Sequence, residues 1–224
     1  MWKTVLLDID GTLLDSNAAH SHAWEDAFAE HGYSMPFEAI FPLVGLGGDK
    51  LLQRLTPGLS DQEGVGKEIA QRRKEIFQQR YLAGVKPTPG ARALVERIRQ
   101  AGMTPVVATS AENDELQVLL KASGVEDLID EQANASDASG SKPDPDIVRA
   151  ALEKSGSAPH ESIMIGDTPF DVEAARKAGV AAIGFGWGGH DADLGGALAI
   201  YDDPADLLRH WDESPLGQTE PAVR

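Results

Sequence analysis

The stretch VLLDIDGTLLDS, residues 5–16, begins as an unbroken apolar run and ends in two carboxylates one residue apart, followed by Gly-Thr. An apolar run without polar alternation reads as a strand covered on both faces, as in a parallel sheet. Asp8 and Asp10 then emerge at its carboxyl end, the edge where open α/β sheets bind ligands. A period of two sends both side chains to the same side, about 6 to 7 Å apart by the rise of a strand. Carboxylates that close repel by roughly 1 to 4 kcal/mol, depending on the local dielectric, unless a cation or a proton sits with them. The pair asks for a metal or for acid and base work, although Asp and Gly are also ordinary turn residues.

The rest of the chain extends this pattern. The runs TVLL at 4–7, PVVA at 105–108, SIMI at 162–165 and AAIGF at 181–185 read as strands. Helical patterns at about 90–101, 112–123, 145–155 and 169–178 separate or follow them. Such alternation predicts an α/β fold, a doubly wound parallel sheet. A weaker strand is expected to include Leu128 and Ile129. Residues 17–85 break the alternation and read as helical throughout, with apolar stripes at Ala19, Ala23, Ala27 and Phe28 and at Val65, Ile69, Ile76 and Phe77. The prolines of KPTPG, residues 86–90, mark a stiff re-entry. The expected organisation is a discontinuous core of residues 1–16 and 86–211, an inserted all-helical cap at 17–85, and a frayed polar tail at 212–224.

Composition restricts the function classes. The chain has 224 residues and a formal charge of −16, with a pI near 4.7, and is long enough to bury a sizeable core. Its negative field repels nucleic acid and anionic membranes, so neither is expected as a partner. An anionic substrate would need a locally cationic site. There is no cysteine, which removes thiolate chemistry and fits a reducing compartment. No signal-like segment or membrane-length apolar run is read from the sequence, so a soluble cytoplasmic protein is expected.

Other strand ends carry matching chemistry. VVATSAEN, residues 106–113, places Thr109 and Ser110 at a strand terminus before a helix, where hydroxyls and free amides can hold an anion. SKPDPD, residues 141–146, puts Lys142 beside helix-start residues that do not themselves require a lysine. SIMIGDTPFDVEAA, residues 162–175, sets Asp167 at a strand end and Asp171 in the following helical turn, where a carboxylate also favours the helix dipole. Four strand ends with these residue types are hard to explain as independent caps.

Together these motifs resemble the haloacid dehalogenase superfamily, in its branch with a helical cap. Its signature of a DxDGT strand end, a strand-ending Thr or Ser, a later Lys and GDxxxD is matched in order by Asp8 to Thr12, Thr109, Lys142 and Gly166 to Asp171. The resemblance implies a phosphatase in which Asp8 is the nucleophile, forming an aspartyl phosphate, and Asp10 is general acid and then base. It implies Mg²⁺ held by Asp8, the backbone carbonyl of Asp10 and Asp167, with Asp171 assisting, and phosphoryl oxygens bound by Thr109 and Lys142. A small phosphorylated metabolite, similar to phosphoglycolate or a sugar phosphate, is the implied substrate.

Alternatives within and outside the resemblance remain open at this point. Asp10 and Asp167 argue against a dehalogenase, which lacks the second Asp and needs no metal. HSHAW, residues 20–24, resembles the HxxAW pattern of β-phosphoglucomutases, in which a histidine matched by His20 holds the general acid; Arg73 or Lys74 falls near that enzyme's cap lysine. Lys50 in GLGGDK, residues 45–50, stands where the mutase has an arginine, and Asp167 with Asp171 departs from its Glu-Asp pair. A phospho-receiver or non-catalytic binding protein is the remote reading. Ser110, His20 and Lys50 are the candidate substrate contacts, the glycines before Lys50 suggest a flexible loop, and Trp187 in GFGWGGH, residues 184–190, either lines the entrance or covers the sheet edge.

Overall fold

Val5, Leu6 and Leu7 are fully buried in strand β1 (Thr4–Leu7). The computed structural model, which describes residues 1–188 and 194–218, places that strand inside the sheet rather than at its edge. Downstream come β2 (Leu14–Asp15), the cap helices α1 (Asn17–Glu30), α2 (Phe37–Ile40), α3 (Gly48–Leu55) and α4 (Gly64–Ile76), and β3 (Lys86–Pro87). The remainder alternates α5 (Ala91–Gln100), β4 (Thr104–Ala108), α6 (Asn113–Ser123), β5 (Glu131–Ala133), α7 (Asp146–Ser155), β6 (Ser162–Gly166), α8 (Pro169–Ala178), β7 (Ala181–Phe185), β8 (Ala199–Tyr201) and α9 (Pro204–Arg209).

Six strands form one sheet in the order β5-β4-β1-β6-β7-β8, all parallel. Leu7 lies beside Val107 on one side and Ile165 on the other. The period of two divides the core between the two faces. Val5 and Leu7 pack with Leu94 of α5, Leu116 of α6 and Leu207 of α9, whereas Leu6 packs with Ile147 of α7 and Val172 of α8. All four expected strong strands are present, and three-residue strands β5 and β8 complete the edges. The weak strand expected at Leu128 and Ile129 is displaced: Glu126–Leu128 is a 3₁₀ turn, and pairing with β4 begins at Glu131.

The segment 17–85 is helical. Ala23, Trp24, Ala27 and Phe28 bury the inner face of α1, which lies against α4; Ile69, Ile76 and Phe77 are fully buried with them, but Val65 is exposed. What reads in sequence as turn and linker is a second, two-stranded sheet. β2 and β3 pair antiparallel, Leu14 beside Pro87 and Asp15 beside Lys86, and Thr88 extends the contact by donating its hydroxyl to the Thr12 carbonyl at 2.7 Å.

The tail also departs from expectation. Trp211 and Leu216 are buried, the Arg97 guanidinium lies 4.8 Å from the Trp211 ring centroid, and the Trp2 indole donates to the Pro215 carbonyl at 2.8 Å. Two apolar side chains thus anchor residues 212–218 that composition alone reads as frayed; residues 219–224 of that reading lie outside the described residues. Among the described residues no helix is long and apolar enough to cross a membrane.

Candidate active site

The carboxyl ends of β1, β4 and β6 converge on Asp8. Its amide donates to the Ile165 carbonyl at 3.0 Å, continuing the β1–β6 ladder by one residue, so backbone pairing fixes where its side chain emerges. Lys142, almost entirely buried, donates to the Asp8 carboxylate and lies 2.7 Å from Asp171 Oδ1. Burial pushes the Asp8 carboxyl up to about 7, against the pull of Lys142 and with added repulsion from Asp171 and Asp10. The same burial works against the charge on Lys142, but Asp171 and Asp8 more than offset it and raise its pKa.

Asp10 sits in the turn that follows. Gly11 adopts φ +76°, and a Cβ there would fall 2.0 Å from Asp167 Oδ2, so the Gly of the motif meets both a left-handed backbone and a close approach. Asp10 Oδ1 accepts from the Ser16 hydroxyl at 2.5 Å and lies 2.9 Å from His20 Nε2. His20 in turn stacks on Phe77, with centroids 4.0 Å apart. Burial opposes ionisation of Asp10, yet the charge and hydrogen bond of His20, with help from Ser16 and Arg73, hold its carboxyl below the usual range. It therefore favours the acceptor form.

Asp167 and Asp171 close the site from below. Asp167 accepts from Thr12 Oγ1 at 3.1 Å and from Asn17 Nδ2 at 2.8 Å. Asp171 does both things its position allows: Oδ2 caps α8 by accepting from the Thr168 amide and hydroxyl at 3.0 and 2.7 Å, and Oδ1 faces Lys142. Oxygens of Asp8, Asp167 and Asp171 lie within 4.8 Å of one another. Burial, then Asp171 and Asp8, push the Asp167 carboxyl well above its ordinary value. Three buried carboxylates, two of them beside one ammonium, form an all-oxygen donor set with excess negative charge, which fits a hard divalent cation.

Thr109, Ser110, Asp8, Asp10 and His20 line one cleft of about 70 Å³ between cap and core. Thr109 Oγ1 accepts from the Ala111 amide at 3.1 Å, in a local turn at the end of β4. A larger cavity of about 430 Å³ continues outward, sharing Trp24, Arg73, Ser110 and Glu115 with the first. The sequence-predicted core residues are thus brought together, and His20 reaches Asp10 as expected.

Lys50 does not line either cavity. Its ammonium is held by the Ser141 carbonyl and by Asp144 Oδ2 at 2.6 Å, so it joins the cap to the core at a point outside both cavities. The adjoining glycines serve close approach rather than flexibility alone: a Cβ at Gly47 would fall 2.3 Å from Ser141 Cβ. Trp187 is exposed and lines neither cavity, while residues 189 and 190 of its loop lie outside the described residues. Two side chains went unread in sequence. Asn17, which looks like an ordinary helix-start residue, bridges Asp167 and the Gly188 carbonyl, the latter at 3.2 Å. Glu115, buried at the start of α6, accepts from Arg73 of the cap at 2.5 Å.

Comparison with known proteins gives the family to which this fold belongs. The chain is 32% identical over 216 residues to a phosphoglycolate phosphatase of Rhodospirillum rubrum, covering 92% of this chain and 90% of that protein. The crystal structure of a hydrolase from Pseudomonas syringae, 30% identical, superposes with a TM-score of 0.86 over 94% of this chain and 98% of that one. The structure of CbbY from Rhodobacter sphaeroides in complex with phosphate, 26% identical, gives 0.76 over 92% and 96%. The profile of the haloacid dehalogenase-like hydrolases matches residues 5–185, from β1 to the end of β7. Parallel sheet, helical cap and carboxylate-lined strand ends accordingly identify the chain as a member of the haloacid dehalogenase-like hydrolase family.

Proposed function

We propose that this protein is a Mg²⁺-dependent phosphatase that hydrolyses a small phosphomonoester, similar to phosphoglycolate or a sugar phosphate, through an aspartyl phosphate on Asp8. The observation that carries this reading is the buried contact of Asp8 with Lys142, beside a cleft that Asp8 lines together with Asp10, Thr109 and Ser110. A carboxylate approaching a phosphate dianion meets repulsion of roughly 4 kcal/mol per charge pair at close range in a screened site. Lys142 offsets part of it, and the hydroxyls of Thr109 and Ser110 donate to the remaining phosphoryl oxygens. Asp8 would attack phosphorus while the bond to the leaving oxygen breaks. Asp10, ionised in the free site, would take up a proton as substrate enters and pass it to the leaving alkoxide; ionised again, it would take the proton from the water that cleaves the acyl phosphate. His20 and Ser16 keep its carboxylate aimed for both steps.

Asp8, Asp167 and the Asp10 carbonyl are the residues that would hold Mg²⁺, with Asp171 assisting through its contact with Lys142. Bound there, the cation supplies charge neutralisation between nucleophile and phosphoryl group. Phosphate release from a panel of phosphomonoesters, including an aryl phosphate, should run for many turnovers and fall to background in chelator, returning with Mg²⁺. Unchanged rates in chelator would remove the metal from the reading, and a stop after about one equivalent per chain would favour a phospho-receiver. Asn17→Ala, which frees Asp167 from its hydrogen bond, should raise the Mg²⁺ concentration for half-maximal rate by about 10-fold, the usual cost of losing a partner of a metal ligand. An unaltered Mg²⁺ dependence would restrict Asn17 to holding the loop at Gly188.

The mutase reading draws on one observation, the His20–Asp10 contact, which also suits a phosphatase. Transfer of label from a hexose 1-phosphate to the 6-position, without release of phosphate, would favour it. The small phosphorylated partner and the lack of cysteine are in keeping with a cytoplasmic setting.

A further inference from the structure

We infer that the outer cavity accepts an uncharged, hydroxyl-rich leaving group and that Glu112 and Glu115 reject substrates carrying a second anionic group. This rests on the phosphatase reading and specifies its substrate class. The cavity of about 430 Å³ leaves most of its space unfilled by a two-carbon acid, whereas a polyol of five or six carbons occupies more of it and reaches more of its lining. Among the described residues its lining holds two basic side chains, Arg73 and Lys74, and four acidic ones, Asp49, Asp61, Glu112 and Glu115.

Both cations are already paired with carboxylates of α6 or its N-cap. Arg73 Nη1 lies 2.5 Å from Glu115 Oε1, with both side chains largely buried, and Lys74 Nζ lies 2.5 Å from Glu112 Oε2. Lys50, the cation a remote anion would otherwise meet, is committed to Asp144. A carboxylate or second phosphate entering here would have to displace Glu112 or Glu115 and then lie among like charges. Alcohol groups meet the opposite situation. The carboxylates, the Gln62 amide and the hydroxyls of Ser110, Ser136 and Ser139 in the same lining supply acceptors for O–H donors. Specificity is thus set as much by the two glutamates of the core as by the cap.

Steady-state constants for the full-length protein with Mg²⁺ on glucose 6-phosphate, phosphoglycolate and p-nitrophenyl phosphate test this. kcat/KM for glucose 6-phosphate is expected to exceed that for phosphoglycolate by roughly 10-fold or more. Glu115→Gln and, on the more exposed residue, Glu112→Gln should each raise phosphoglycolate relative to glucose 6-phosphate by about 3- to 10-fold, chiefly through KM. A parental preference for phosphoglycolate, alongside normal aryl phosphate turnover, would overturn the inference and leave the phosphatase reading intact. Equal proportional changes on both metabolites in Glu112→Gln would assign the glutamates to cap attachment alone and would also overturn it. No hydrolysis of any of the three would overturn the phosphatase reading itself, and this inference with it.

Discussion

Asp8→Asn is expected to lower phosphate release by roughly 10⁴-fold or more, the scale seen when a nucleophile is removed, and to leave no phosphoenzyme in acid-quenched samples. The amide cannot displace the leaving oxygen and is a poor ligand for a hard cation. Folding should survive. Burial opposes the charge of Asp8, and the substitution removes one of three neighbouring buried carboxylates, two of which share one ammonium. The thermal midpoint in chelator should therefore be equal to or above that of the parent. Mass spectrometry of the quenched protein and a melting curve read the two effects separately. Parental turnover in the variant would end the covalent mechanism, and a lost melting transition would show that the defect is structural.

Lys142→Ala should reduce kcat by about 10²- to 10³-fold on every phosphomonoester, because the ammonium offsets charge at the transferring phosphoryl group common to all of them. Its stability cost should also be large, about 3 to 5 kcal/mol in metal-free buffer, since removing one partner of a buried ion pair leaves the other uncompensated. Lys142 is 1% exposed and serves both Asp8 and Asp171, so two carboxylates lose their counter-charge at once. Kinetic constants on an aryl phosphate and on a metabolite, with denaturant midpoints beside them, check the pair of effects. A loss confined to one substrate would place Lys142 at the leaving group instead.

The parts of the site that are readable in sequence are those in which a short motif fixes both position and direction. Asp8, Thr109 and Asp167 each follow a buried strand by a residue or two, and a parallel sheet brings strand ends to one edge whatever the loops do. Asp171 follows from Asp167 through one helical turn. The contacts that escaped reading join residues far apart in the chain: Lys50 with Asp144, Arg73 with Glu115 and Asn17 with Gly188. Lysine, arginine and asparagine at helix starts and on helix faces look alike until the orientation of the cap is known, and no local periodicity encodes that orientation. The tail shows the complementary error. Composition near Leu216 is polar, but one leucine and one tryptophan suffice to dock it beside Trp2.

The short ladder of β2 and β3 has a consequence for inheritance. Asp15 and Lys86 lie side by side where the chain leaves the sheet and where it returns, so everything between them hangs from a single doorway. A segment attached in this way can be lengthened, shortened or traded for another without re-registering any strand of the six-stranded sheet, because its two ends already meet. Chemistry and selectivity can then diversify partly on separate schedules: the strand ends keep the means of cleaving a phosphate ester, while successive tenants of the doorway, together with the core residues they meet, decide which ester is admitted.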